Sequence, residues 1–85
     1  MSKYLHIIWD LDDDPDGNVE HVLMHGVSQD EVEEILESEN VDVSRSSGSP
    51  IAFGWTSTGR YLAVVFEEID EDTARPVTAY DVDPP

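Results

Sequence analysis

The run Gly26-Val27-Ser28-Gln29-Asp30-Glu31-Val32 constrains the fold more than any other part of this chain. Ser28 followed three residues later by Glu31 is a capping box: the serine side chain accepts from the Glu31 amide while the glutamate reaches back to the Ser28 amide. Val27 and Val32 stand at the positions of a hydrophobic staple across that helix start. Beyond it, Val32, Ile35 and Leu36 form an apolar stripe opposite Glu33, Glu34 and Glu37, and Ser38-Glu39-Asn40 closes the helix. Gly26 is the left-handed stop of a preceding helix. That first helix is expected to take Asp14 as N-cap and Pro15 at its first position, burying Val19, Val22 and Leu23.

A helix pair this short needs a surface to pack on, and the flanking sequence supplies strands. Residues 4–9, Tyr-Leu-His-Ile-Ile-Trp, are a short apolar and aromatic run that ends at Asp10. From Val41 the pattern is β throughout. Val41-Asp42-Val43 alternates, and residues 44–50 form a polar turn. Ile51, Phe53 and Trp55 then alternate with Ala52, Gly54 and Thr56, as on a half-buried strand. Thr56-Ser57-Thr58-Gly59 makes a hairpin turn into the continuous apolar run 61–66, the expected central strand. Residues 67–72 read as an acidic turn, and 75–82 as a last strand in which Pro76 suits an edge or a bulge. The order β-α-α-β-β-β-β predicts a single α+β domain over 1–85: an antiparallel sheet with a two-helix layer on one face.

Charge bounds the partners. Twenty acidic residues against four basic ones give a formal net charge of −16, which repels nucleic acid at long range and favours cationic partners. Three readings compete: a salt-adapted surface, a basic protein partner, or high solubility alone. With no cysteine, no disulfide or thiolate metal site supplements the small core. No apolar run approaches the ~20 residues of a membrane span, and the start lacks the pattern of a signal peptide. The expectation is a cytoplasmic protein with no membrane association.

Two metal readings are weaker than their structural alternatives. His21 and His25, four apart on one helix, would chelate zinc only with a third ligand such as His6 or a carboxylate. Asp12, Asp14, Asp16 and Gly17 match the first half of a calcium loop, but Leu23 falls where the bidentate carboxylate belongs. An N-cap turn in an acidic protein accounts for them, and no metal or cofactor is expected.

The basic residues of the sheet half carry the chemistry. Arg45, Arg60 and Arg75 lie at or next to strand ends. Converging on one face they would bind a phosphate or stabilise a pentacovalent transition state by charge. Paired with surface carboxylates they would do neither. His25 offers a proton donor or acceptor near neutral pH, and Tyr61 and Tyr80 offer hydroxyls and stacking surfaces. Arginine, histidine and tyrosine suffice for metal-independent RNA cleavage through the 2′-hydroxyl.

The order of motifs resembles one family. Trp9-Asp10, Asn18, and His25-Gly26-Val27-Ser28 before an acidic amphipathic helix are followed by Gly54-Trp55-Thr56, by Gly59-Arg60-Tyr61-Leu62-Ala63-Val64-Val65, and by Arg75-Pro76-Val77-Thr78-Ala79. Over residues 7–80 this is similar to the BrnT toxins, small ribonucleases of toxin–antitoxin pairs with a RelE-like fold. The resemblance implies a ribonuclease held inactive by a DNA-binding antitoxin. Carried over by position, Arg60 and Arg75 would be the catalytic or RNA-binding arginines, with His25 in the helix-end signature. On the reading of the residues themselves, His25 and Tyr80 would join them as catalytic, with Arg45 and Tyr61 binding the RNA substrate. The chain departs from the pattern where Met24 replaces a basic residue, where Tyr80 replaces an arginine, and where 83–85 stand in place of a basic helix. Each change removes positive charge that RNA would need. The alternative on the same scaffold is a non-catalytic module whose acidic surface binds a basic protein.

Overall fold

Strands and helices form in the expected order, but the sheet is assembled differently at its edge. The computed structural model describes residues 4–38, 41–45 and 48–85. Its elements are β1 (His6–Ile7), α1 (Asn18–Met24), α2 (Gln29–Glu37), β2 (Asp42–Ser44), β3 (Ile51–Trp55), β4 (Tyr61–Asp70) and β5 (Thr73–Asp81). Residues 39–40 of the expected helix stop and residues 46–47 of the polar turn lie outside the described residues.

One five-stranded sheet has the order β1-β5-β4-β3-β2. Strands β2 to β5 form an antiparallel meander, whereas β1 pairs parallel with β5 through His6↔Thr73 and Ile7↔Ala74. The sheet is therefore mixed, which corrects the purely antiparallel expectation. No turn joins β1 to its neighbour: the chain leaves β1 at one edge, crosses the face through both helices, and re-enters at β2 on the other. A connection of that length permits a parallel pair.

Helix α2 starts as its sequence dictates. The Glu31 amide donates to Ser28 Oγ at 3.2 Å, and the Ser28 amide donates to Glu31 Oε1 at 3.0 Å. Val27 and Val32 are both fully buried in the core. Gly26 takes φ 75°, the left-handed stop. Helix α1, however, is capped by Gly17 rather than Asp14, and no side chain bonds its first turn from the cap. Asp14 instead closes a turn, accepting from the Asp16 amide on Oδ1 and from the Gly17 amide on its carbonyl, both at 3.0 Å. The later start buries Asn18, Val19 and Val22 and leaves Leu23 53% exposed, against expectation.

Which face of β3 is covered follows from side-chain size. Ala52 and Gly54 are buried under the helices, while Ile51 and Phe53 are half-buried and Trp55 is exposed. Small residues let α2 approach closely: a Cβ on Gly54 would lie 3.2 Å from Ile35 Cδ1 and 3.5 Å from Val41 Cγ2. Leu62, Val64, Phe66, Ala74 and Ala79 complete the covered face and meet Val22, Val27, Val32, Ile35 and Leu36 of the helix layer.

Strand β4 runs further than expected. The acidic segment 67–72 is mostly strand, with only Glu71 and Asp72 between β4 and β5. Because 67–70 are exposed, charged side chains can stay solvated there while the backbone remains paired. Pro76 sits at an irregularity, where the register steps from Val65↔Thr78 to Phe66↔Pro76. This is the bulge that the proline allowed.

Gly54→Val should overpack the Ile35 contact and lower stability by about 1–3 kcal/mol. The measurement is the midpoint of denaturant unfolding, with an unchanged slope.

Candidate functional site

Arg60 occupies the best-defined polar cluster. The hairpin that precedes it is closed by the Thr56 amide on the Arg60 carbonyl (2.8 Å), the Gly59 amide on the Thr56 carbonyl (3.1 Å) and the Arg60 amide on Thr56 Oγ1 (3.1 Å). Gly59 takes φ 88°, which only glycine adopts without strain. From this fixed origin the guanidinium reaches across to the helix junction. Nη1 donates to the Gly26 carbonyl at 2.9 Å and to both Glu31 oxygens at 2.9 and 3.0 Å. Nε and Nη2 grip Asp81 at 3.2 and 2.8 Å. Asp81 and Glu31 together raise the Arg60 pKa further above its ordinary value. Burial alone would push Glu31 up, but the Ser28 amide and Arg60 outweigh it and hold its carboxyl below the usual range. Glu31 is thus both the capping-box acid and the counter-ion of Arg60.

Two other predicted residues share this corner. The rings of His25 and Tyr80 are tilted against each other with centroids 6.1 Å apart. In sequence His25 adjoins Gly26 and Tyr80 adjoins Asp81, two of the three residues that Arg60 grips. His25 and Tyr80 are therefore neighbours, while the Arg60 guanidinium is taken up by Gly26, Glu31 and Asp81; His25 is exposed.

The remaining predicted residues lie elsewhere. Arg75 donates to Asp10 at 2.8 Å and to Glu67 at 3.4 Å. Arg45 makes a bidentate pair with Glu68 at 2.9 and 3.0 Å, and Tyr4 also donates to Glu68. Arg45 and Tyr4 hold the Glu68 carboxyl below its ordinary range. Tyr61 stands on the sheet face away from the helices, its ring 5.0 Å from that of Trp55. Arg60, Arg75 and Arg45 thus sit apart from one another, each neutralised by one or two carboxylates.

Several residues of the two metal candidates have partners of their own. His21 Nδ1 lies 3.3 Å from the Val77 carbonyl, and His25 faces Tyr80, so the two rings do not converge on one point. Of the calcium-loop carboxylates, Asp14 accepts from the Asp16 amide in its own turn. Among the described residues no three His, Cys, Asp or Glu side chains are grouped to hold a metal ion.

Sequence reasoning did not single out the role of Asn18, which is buried. Its Oδ1 accepts from the Asp10 amide at 2.8 Å, and its Nδ2 donates to the carbonyls of Ile8 at 3.0 Å and Pro76 at 2.8 Å. Its own amide donates to Asp10 Oδ2 at 2.9 Å. That backbone bond, reinforced by Arg75 against some burial, keeps the Asp10 carboxyl below its ordinary value. A polar residue at a position of helical apolar spacing was the available signal.

The chain is thus an α+β domain with a five-stranded mixed sheet and two helices. Comparison with protein-family models, curated proteins and solved structures returns no match.

Asn18→Ala strands the Asp10 amide and the Ile8 and Pro76 carbonyls, and should cost at least about 1–3 kcal/mol in denaturant unfolding. Asp10, Glu31, Glu68, Asp70 and Asp81 all have lowered pKa values, so the folded chain binds these protons more weakly than the unfolded one. Their contribution is fully present above the ordinary values of 3.8 and 4.5 and is lost as pH falls through the lowered folded values. At about 1 M salt, where exposed carboxylates are screened within ~3 Å, the melting temperature should fall progressively with acid from about pH 4.5, as calorimetry would show.

Proposed function

We propose that this chain is a divergent BrnT-like scaffold, with the RelE-like arrangement that the family implies, working as a non-catalytic, acidic protein-binding module. The carrying observation is the commitment of all three arginines to carboxylates: Arg45 to Glu68, Arg60 to Glu31 and Asp81, and Arg75 to Asp10 and Glu67. A ribonuclease of this type needs uncompensated positive charge where the scissile phosphate sits. Here a phosphate would have to displace internal counter-ions and approach a chain of net charge −16. The same charge draws a basic protein partner and speeds its encounter, with strong salt dependence.

A second reading, a metal-independent ribonuclease toxin held by an antitoxin, draws support from the proximity of His25 and Tyr80 beside the residues that Arg60 grips. In that reading His25 moves the 2′-hydroxyl proton and Arg60 leaves Asp81 to meet the phosphate. An adjacent gene for a small DNA-binding protein would favour it.

Expression without a partner, followed by assay of growth and bulk RNA, separates the two. The module reading expects intact RNA, and expects Arg60→Ala to lower thermal stability without changing RNA integrity. RNA cleavage by the purified chain that is lost in both Arg60→Ala and His25→Ala would replace it with the toxin reading.

A further inference from the structure

The sheet face away from the helices is strongly aromatic. Cross-strand register places Phe53 opposite Ala63 and Ala63 opposite Tyr80, Trp55 opposite Tyr61, and Ile51 opposite Val65. Side chains of directly opposed residues share a face, and it is the alternate set, Ala52, Gly54, Leu62 and Val64, that is buried under the helices. Phe53, Tyr61, Val65 and Tyr80 are half-exposed and Trp55 is 56% exposed. Ala63, on the same face between Phe53 and Tyr80, is fully buried, so its neighbours close over it. Four of the chain's seven aromatic residues are spent here, where neither helix contributes its buried side chains. A contiguous exposed apolar patch of this kind marks an interaction surface.

Its rim selects the occupant. Asp42 stands opposite Phe53 on β2, and Glu67 continues the Tyr61-Ala63-Val65 row on β4. Among the described residues, the one cation on this face is Arg75, which is paired with Asp10 and Glu67. A second copy would bring the same anionic rim and another −16 against it. Nucleic acid would meet the same repulsion. An apolar centre with an acidic rim is complementary to an apolar stripe flanked by Lys and Arg.

We propose that the open sheet face docks a cationic amphipathic segment of a protein partner, its apolar stripe on Phe53, Trp55 and Tyr61 and its basic flanks against Asp42 and Glu67. This rests on the protein-binding reading above and names its surface and the chemistry of its partner. Trp55 is the anchor: large, exposed, and with its ring against that of Tyr61, of the residue type enriched at interface hot spots.

The test is an amide-resonance titration of the full chain with two synthetic peptides of equal positive charge. One is a helical peptide with leucine on one face and lysine on the other; the other is a lysine–glycine peptide without the stripe. Shifts should concentrate on β3, β4 and β5 with the amphipathic peptide only. Trp55→Ser should weaken binding about tenfold or more, the scale of an aromatic anchor. Tyr61→Ser serves as a second variant, and the unfolding midpoint of each variant reports that the fold is intact. Asp42→Asn combined with Glu67→Gln should weaken binding about three- to tenfold at low salt and have little effect at about 1 M salt. Leu23→Ser, exposed in the helix layer, should change nothing. Shifts spread over α1 and α2 with both peptides, or unchanged affinity in Trp55→Ser, would overturn the assignment of this face while leaving the protein-binding reading standing. A dimer seen by sedimentation without peptide and abolished by Trp55→Ser would make a second copy the occupant instead. Arginine-dependent RNA cleavage would remove the underlying reading whichever face the peptide meets.

Discussion

The side chain of Asn18 joins three pieces of backbone that lie far apart in sequence. It ties the carbonyl of Ile8, just past β1, to the carbonyl of Pro76 at the β5 bulge, and closes a reciprocal pair with Asp10. Helix α1 has seven residues, well short of the ~12–15 at which an isolated helix becomes even marginal in water. With no side-chain cap of its own, its start is held by this network. The bulge at Pro76 and the placement of β1 are parts of the same arrangement: a proline that donates no hydrogen bond presents a carbonyl, and a buried amide takes it.

Arg60 performs the matching task at the other end of the helix pair. It joins the Gly26 stop, the capping-box glutamate and the end of β5, three features set by different local rules. Exposed ion pairs contribute little singly, but a guanidinium that also satisfies a helix-terminal carbonyl fixes geometry as well as charge. In a chain so acidic, the few cations are most easily held by carboxylates already nearby. Arg60 is here employed in holding the helix junction to the sheet.

Local signals in the sequence specify local structure well. The capping box, Gly26, the buried stripe of α2, the Thr56–Gly59 hairpin and the Pro76 bulge each depend on residues within a few positions of one another, and each is present. What the sequence did not reveal depends on distant partners. The start of α1 moved from Asp14 to Gly17 because Asp10 and Asn18 hold it there, and Leu23 turned outward with it. The parallel pairing of β1 rests on residues 73 and 74. The acidic 67–70 segment resembles a turn in composition, yet a strand exposed to water tolerates carboxylates. For the candidate site, His25 and Tyr80 do lie near one another, but only tertiary structure reveals that Glu31 and Asp81 occupy the Arg60 guanidinium. The aromatic face was visible as alternation in β3, without any indication that the small residues, not the large, would face the helices.

The parallel seat of β1 also imposes an order of events on folding. Strands β3, β4 and β5 can zip through two hairpins whose contacts are close in sequence, whereas His6 and Ile7 have no ladder until Thr73 and Ala74 are in place. Long-range pairings of this kind are slow because the loop must close before any bond rewards it. During synthesis the N-terminal strand therefore emerges early and waits, its apolar residues unpaired, while its partner has yet to leave the ribosome. The dense negative charge downstream of it, from Asp10 to Asp16, is mutually repulsive between like chains.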